Sequence, residues 1–385
     1  MTRRSLAMVL PFRLEPRASP SRTMQFFSPL AAGVITLAIG WIVFSALGQS
    51  PSAAMRVFFI DPLSDRNGWS ELLLKATPLC LIGIGLSICY RANIWNIGAE
   101  GQMLVGGMAA SGVALFFKPD SGVCIMPLML AASVLGGMLW AAIPALLRTR
   151  FNTNEILVSL MFTYISVNLL IYLVSGPWRD PQGMNFPLTK EFSSAATFAL
   201  LAVDWHWSFW EGTRLNSSVL IALLVLPLAW LFMQRSFMGY RMIVGGLSPM
   251  AARYAGFSDA RAVWLALLSS GGLAGLAGVS EVAGTIGQLQ SNWSPGYGFT
   301  AIIVAFVGRL HPVGVALASL LMALLYLGGE AGQTALQLPK SISAVFQGLL
   351  LFTLLACDLL ITYRLRWVRT TPTASAGISY VKEQA

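Results

Sequence analysis

The stretch Tyr-Arg-Ala-Asn-Ile-Trp-Asn-Ile-Gly-Ala-Glu-Gly-Gln-Met-Leu-Val-Gly-Gly-Met, from Tyr90 to Met108, decides how the rest of the chain is interpreted. It lies between two apolar runs, yet it carries charged and amide side chains among glycines. In a membrane, polar and glycine-broken backbone is tolerated only where protein or a water-filled path surrounds it. The stretch is therefore either part of a permeation pathway or a short cytoplasmic turn between two helices.

Composition indicates that the surroundings are a lipid bilayer. The 385 residues are 56% hydrophobic and 11% charged, whereas a soluble domain carries about 25% charged residues. Since a spanning helix needs about 20 apolar residues, the sequence predicts an all-α polytopic membrane protein with about ten transmembrane helices. The predicted spans are 29–48, 72–90, 101–117, 121–147, 156–177, 215–233, 262–280, 297–308, 312–329 and 342–362.

Two of these spans are irregular in a way that bears on the architecture. The second is charge-free only after Lys75, so it is either a tilted helix that extends back to Leu72 or a helix that stops partway. The third is rich in glycine and alanine, which let helices approach closely, so we expect it at the centre of the bundle. Residues 49–71 are expected to form an outer connection.

The basic residues predict the orientation of the chain. With the N-terminus inside, most of the 25 Lys and Arg residues fall on the inner side, as cytoplasmic loops require. This predicts a cytoplasmic N-terminal tail at 1–28, a transmembrane domain at 29–363 and a cytoplasmic C-terminal tail at 364–385. Because the positive charge is spread along one membrane face, it does not indicate nucleic-acid binding.

The cysteines and histidines predict neither a metal site nor a disulfide framework. The four cysteines are scattered in apolar runs without a Cys-x-x-Cys pair, and the two histidines stand far apart. No resident cofactor is expected, and no Ser-His-Asp constellation indicates a membrane enzyme.

The largest inner loop, 234–261, carries the signals of a short helix. The glycine pair beginning at Gly245 is expected to break the chain, and Ser248 and Pro249 then form an N-cap and N1 pair. Gly256 fits a C-terminal stop. We expect a short helix across the cytoplasmic face; the alternative is a solvated connection.

An internal repeat links the opening stretch to a later one. Gly98-Ala-Glu-Gly…Gly112-Val-Ala-Leu in the third span has a counterpart five spans later, Gly298-Phe-Thr-Ala…Gly314-Val-Ala-Leu. An offset of five spans reverses the direction of crossing, so the two halves would form an inverted repeat with broken central helices. Paired, interrupted segments of this kind indicate a transport site.

Several motifs resemble the permease subunits of bacterial ABC importers for nucleosides, a family related to the ribose and autoinducer-2 permeases. The resemblance covers about 72–358, whereas the Arg-rich tail before Met24 and the outer loop around Trp205 lie outside it, and His311 stands where the family often has Asn. The motifs are Asn96-Ile-Gly-Ala-Glu-Gly-Gln, Asn154-Glu, Pro249-Met-Ala-Ala-Arg-Tyr-Ala-Gly, Leu273-Ala-Gly-Leu-Ala-Gly with Glu281, Gly308-Arg-Leu-His-Pro, and Gln347-Gly with Asp358.

The resemblance implies a multi-subunit importer in the bacterial inner membrane. Its expected partners are an ABC ATPase subunit that holds ATP and Mg, a second homologous permease, and a periplasmic or lipid-anchored substrate-binding protein. This chain would be a non-catalytic subunit for a nucleoside-like substrate. The sequence agrees in one respect, because it contains no Gly-Lys dipeptide and hence no Walker A loop.

The resemblance and the interrupted segments together predict two sets of site residues. Glu100 is open to two interpretations: it ties the broken segment together, or it lines the path. The predicted translocation pathway comprises Asn93, Asn96, Glu100, Gln102, Glu281 and Tyr297, and the predicted ATPase-coupling set comprises Gly245, Ser248, Pro249, Ala251, Ala252, Arg253, Tyr254 and Gly256.

A second function class stays open at this point. A secondary transporter driven by an ion gradient often uses membrane-embedded carboxylates as relays, and Glu100, Glu281, Glu330 and Asp358 would be available. Uptake without ATP, at a rate sensitive to a protonophore, would distinguish that class.

Overall fold

The computed structural model describes residues 12–17, 22–117, 124–339 and 341–367. In this part of the chain nearly all regular structure is helical, which confirms the all-α polytopic fold class. The helices are α1 (Arg22–Ala46), α2 (Pro51–Phe59), α3 (Arg66–Arg91), α4 (Ala99–Phe116), α5 (Ile125–Phe151), α6 (Glu155–Ser175), α7 (Ser218–Arg235), α8 (Phe237–Leu247), α9 (Pro249–Tyr254), α10 (Asp259–Glu281), α11 (Tyr297–Val307), α12 (Pro312–Leu336) and α13 (Ile342–Thr362).

Each of the predicted spans coincides with a helix. Among the described residues, 8 helices are long and apolar enough to cross a membrane. Of the ten predicted spans, two correspond to helices that are not long and apolar enough, α4 and α11. These are the helices that were expected to be interrupted, and α11 has only 11 residues. The exact number of spans and the inverted repeat stay predictions.

The helix α3 lies at the centre of the compact unit formed by Gly40–Gly348. It runs for 26 residues through Pro78 and begins at Arg66, so the predicted second span is a continuous helix that extends back beyond Leu72. Its apolar window is 89% buried, against 22% for α6. A helix that is apolar all round and buried lies inside a bundle, whereas α6 presents most of its surface outward.

Small residues bring α10 close to α5, and Gly271 and Gly275 of α10 form a Gly-x-x-x-Gly face at this contact. A Cβ atom added to Gly275 would lie 2.8 Å from the carbonyl carbon of Ser133, and one added to Gly137 would lie 3.0 Å from the backbone nitrogen of Gly275. Close backbone contact of this kind stabilises helix pairs in lipid.

Three features were not predicted from the sequence. The expected outer connection contains α2, whose first turn is capped by the Ser50 hydroxyl and whose Phe58 ring packs 5.4 Å from Phe44. A strand pair, β1 (Phe12–Pro16) with β2 (Tyr363–Trp367), joins residues that were assigned to the tails or the boundary beside them. The helix α1 also begins at Arg22, inside the predicted N-terminal tail.

The chain divides into two compact units, Met1–Ile39 with Leu349–Ala385, and Gly40–Gly348. Within the first, the Ser28 hydroxyl donates to Asp358, and the hydroxyls of Thr36 and Thr353 lie 2.9 Å apart. The second unit contains every predicted site residue.

Candidate functional site

A polar cavity of about 900 Å³ lies within the larger unit. It forms where α10 gives way to irregular backbone: one π-helical turn, Val282–Ile286, follows Glu281, and Gly287 then adopts a φ of 77°. The segment continues to Gly296, and α11 begins at the next residue, Tyr297. The polar and aromatic side chains that line the cavity belong to Lys75, Glu281, Gln290, Asn292, Trp293, Ser294, Tyr297, Phe299, Thr300, Tyr326, Glu330, Gln333, Ser341 and Gln347.

Charged groups of both signs lie in this lining. The Lys75 ammonium is 2.8 Å from a carboxylate oxygen of Glu330, and Glu281 contributes a second, buried carboxylate. Ionisable residues inside membrane segments are rare and normally face a water-filled cavity or a partner. The cavity therefore provides hydrogen-bond donors and acceptors on the same wall.

Another part of the lining is a connected group of hydroxyls, an amide and aromatic rings. The Thr300 hydroxyl lies 2.7 Å from the Tyr326 hydroxyl and donates to Gln347 Oε1 at 3.3 Å. The ring of Tyr297 packs edge-on against Tyr326, with centroids 5.5 Å apart. Aromatic surface beside a few oriented polar groups is typical of sites that bind small molecules.

Glu100 supports this cavity from behind its wall. The carboxylate is 5% exposed, and it accepts hydrogen bonds from the Ser294 hydroxyl and from the Gly298 N–H, each at 2.6 Å. Gly298 lies in the first turn of α11 and Glu100 lies in the first turn of α4. The Glu100 carboxylate therefore lies at the N-terminal ends of both α4 and α11, where the helix dipoles favour a negative charge. Ser294 lines the cavity, whereas Glu100 does not.

A separate, buried network holds the loop that connects α3 to α4. The Asn96 and Gln102 side chains exchange hydrogen bonds at 2.9 and 3.2 Å. Asn96 also donates to the Ser270 hydroxyl of α10 and accepts from the Gly98 N–H, both at 3.0 Å. Asn93 is exposed, has a φ of 55° and accepts a hydrogen bond from the Trp95 indole.

The structure therefore separates the predicted pathway residues. Glu281 and Tyr297 line the cavity, and Glu100 reaches it through Ser294. Asn93, Asn96 and Gln102 do not line it, and their role in the pathway stays a prediction.

Sequence reasoning missed several lining residues. Lys75, Gln347, Thr300 and Tyr326 were not assigned to the pathway, and Glu330 was considered only for the ion-gradient alternative. A lysine, a glutamate and an amide inside otherwise apolar helices were the signal that could have identified three of them.

The predicted short helix in the inner loop is present as α9. It ends in two hydrogen bonds, from the Gly256 N–H to Arg253 O at 3.0 Å and from the Phe257 N–H to Ala252 O at 2.9 Å. Gly256 has a φ of 76°, as expected for a glycine stop. This confirms the helix and its end.

The predicted position of the chain break was wrong. Gly245 and Gly246 lie inside α8, and the direction changes at Ser248, where φ is −148°. The reason is Pro249, because the residue before a proline is pushed out of the helical region. The Ser248 side chain makes no capping hydrogen bond.

The docking segment, defined here as α8 and α9, presents an exposed apolar face. Leu247, Met250 and Tyr254 are 82%, 79% and 97% exposed. Ala252, by contrast, is 1% exposed and packs into the chain, and Arg253 is held 2.7 Å from Asp259. Among the predicted coupling residues, Ala252 therefore does not belong to the exposed face. Grouped exposed apolar side chains indicate an interaction surface.

Comparison with known proteins agrees with this architecture. Residues 68–355 match the family described as branched-chain amino acid transport system / permease component. A glucose ABC transporter permease protein of Haloferax volcanii is 33% identical over 93% of this chain and 94% of its own length. A guanosine ABC transporter permease protein of Bacillus subtilis is 30% identical over 80% of this chain and 86% of its own.

A nucleoside ABC transporter permease protein of Lactococcus lactis is 28% identical over 86% of this chain and 91% of its own length. No solved structure matches the chain. The alternative of an ion-gradient-driven transporter does not fit these relatives. The family match covers most of the chain, and the relatives align along most of their own length, so the chain belongs to this family of permease components and is an ABC transporter permease.

Proposed function

We propose that this chain forms the translocation path for a nucleoside-like substrate, together with a second homologous permease. The observation that carries the proposal is the cavity of about 900 Å³, with its amides, hydroxyls and aromatic rings. The relatives named above are described as permeases for glucose, guanosine and nucleosides, which are polar ring compounds rich in hydroxyl groups. The aromatic lining by Trp293, Phe299 and Tyr297 favours a substrate that also carries a flat base.

Backbone hydrogen bonds connect the irregular segment beside the cavity to residues 178–214, which the charge distribution assigns to the outer face. The Thr189 N–H donates to Leu289 O at 3.0 Å, and the Phe192 N–H donates to Gly287 O at 2.8 Å. A periplasmic or lipid-anchored binding protein would deliver substrate on this side. Both termini and the docking segment then face the cytoplasm of a bacterial cell, with the chain in its inner membrane.

The exposed face of the docking segment is the proposed contact with a separate ABC ATPase. Met250 and Tyr254 provide apolar and aromatic surface of the kind that dominates binding energy at protein interfaces. ATP and Mg belong to that partner, and this chain is a non-catalytic subunit.

Glu100 is proposed to act as a structural support rather than as a lining residue. Each of its two carboxylate oxygens accepts one hydrogen bond, from Ser294 and from Gly298, and the group is buried. Since the carboxylate holds the start of α11 in place, it determines the shape of the cavity without contacting its contents.

The function as a whole is tested in proteoliposomes that contain this chain, the second permease and the ATPase, with the binding protein supplied on the outer side. We expect guanosine uptake to require ATP and to persist when a protonophore collapses the ion gradient. An ATPase subunit that cannot hydrolyse ATP should abolish uptake. Uptake that continues without ATP and fails with the protonophore would contradict the proposal.

Orientation is tested by labelling single cysteines with a membrane-impermeant thiol reagent on intact spheroplasts. Met184 and Met250 are 88% and 79% exposed, so access to either depends on the side of the membrane. In a background that lacks Cys124, the exposed cysteine of the described residues, Met184→Cys should react and Met250→Cys should not. Labelling of position 250 from outside would reverse the proposed topology.

Tyr254→Ala tests the docking face, because Tyr254 is the most exposed of its apolar side chains. Loss of an interface hot spot costs about 2 kcal/mol or more, so we expect a roughly 30-fold weaker complex with the ATPase. Membrane insertion should be normal. Met184→Ala removes another highly exposed side chain, from the outer segment 178–214, and should retain the ATPase. If Tyr254→Ala retains the ATPase fully, the inner loop is instead a solvated connection between helices.

Glu100→Gln separates the structural role from the pathway role. A glutamine can keep both contacts, its oxygen accepting from the Gly298 N–H and its NH₂ donating to the Ser294 hydroxyl, but it removes the negative charge. Because hydrogen bonds to a charged group contribute about 1.5–3 kcal/mol and neutral ones about 1 kcal/mol, the melting temperature and uptake should fall together. The exposed Glu191→Gln controls for the lost charge. Normal stability with altered substrate preference would instead assign Glu100 to the pathway.

A further inference from the structure

The helix α8 touches the end of α3 at a glycine. A Cβ atom added to Gly246 would lie 2.9 Å from the carbonyl carbon of Ala92 and 3.1 Å from its Cα, and it would also overlap the carbonyl oxygen of Arg91. Backbone atoms cannot move aside as a flexible side chain can, so only glycine permits this approach. The neighbouring Gly245 has no atom within 4 Å of its added Cβ, so the requirement is specific to position 246.

A second contact joins the same two regions. The side-chain amide of Gln234, at the end of α7, lies 3.2 Å from both terminal nitrogens of the Arg91 guanidinium. The end of α7 and the end of α8 therefore both contact the end of α3, the first through the Gln234 side chain and the second through the backbone at Gly246.

The chain beyond this contact leads to the cavity through fixed hydrogen bonds. Four residues after Ala92, the Asn96 side chain binds Gln102 of α4 and Ser270 of α10. Glu100 lies in the first turn of α4, as Gln102 does, and it accepts a hydrogen bond from the Gly298 N–H at the start of α11. A displacement at Ala92 can therefore reach the cavity wall without passing through solvent or through a flexible linker.

We propose that Gly246 is a positioning residue for energy coupling, and that its contact with Ala92 transmits movement of the docking segment to the interrupted helices. This inference rests on the proposed function, in which α9 binds the ATPase. Contiguity alone does not demonstrate coupling, so a direct test is needed.

The test compares Gly246→Ala with wild type in the reconstituted transporter, measuring substrate uptake and ATP hydrolysis in the same vesicles. The added methyl separates α8 from α3 while leaving the exposed face of α9 unchanged. We expect the ATPase to remain bound and active, and the number of substrate molecules imported per ATP to fall by roughly threefold or more. Gly33→Ala, in α1, is the matched control, because a methyl group added there would meet no atom within 4 Å. An unchanged ratio in Gly246→Ala would overturn the inference.

A second measurement decides the matter if Gly246→Ala does not assemble. Hydrogen exchange is followed in the wild-type permease, assembled with a hydrolysis-deficient ATPase, first without nucleotide and then with ATP bound. The amides of residues 92–98 should change their exchange rate together with those of α8. A change confined to α8, or no change in either segment, would refute transmission through Ala92. Failure of the proposed function is distinguishable, because the wild-type transporter itself would then lack ATP-dependent uptake.

Discussion

Two helices, α4 and α11, begin inside the protein, and the first N–H groups of any helix have no partner within that helix. In a lipid environment each unsatisfied N–H costs several kcal/mol, so an internal helix start needs a built-in acceptor. The Glu100 carboxylate meets this need for α11 by accepting from Gly298, and the Asn96 amide accepts from Gly98 just before α4. The cavity exists because α11 can begin where it does.

The same constraint explains why polar residues are concentrated beside the cavity. The backbone between Glu281 and Gly296 leaves the regular α-helix, and such backbone is tolerated at membrane depth only beside water or protein. Lys75 and Glu330 project from continuous helices toward this region and pair with each other. The irregular backbone and the ionisable side chains therefore lie beside the same cavity.

Hydropathy and local signals predicted a large part of this arrangement. The spans, the shortness of α11, the α9 helix and its Gly256 stop follow from apolar length, proline and glycine, which act locally. The inward position of Ala252 did not follow, because a six-residue helix carries too little periodicity to show which face is buried. The residues that line the cavity were the hardest to predict. Hydropathy shows which segments lie in the membrane, but it does not show which of their side chains pack together around a cavity.

One helix connects all three parts of the candidate site. The helix α10 starts at Asp259 beside the docking segment, contacts the Asn96 network through Ser270 and ends at Glu281 in the cavity. Its 23 residues span about 35 Å at about 1.5 Å per residue, enough to cross the hydrocarbon core. Because its glycine face lies in backbone contact with α5, α10 cannot slide alone. A change at the docking end must therefore either move α10 and α5 as one body or pass beside them through the α3–α4 loop.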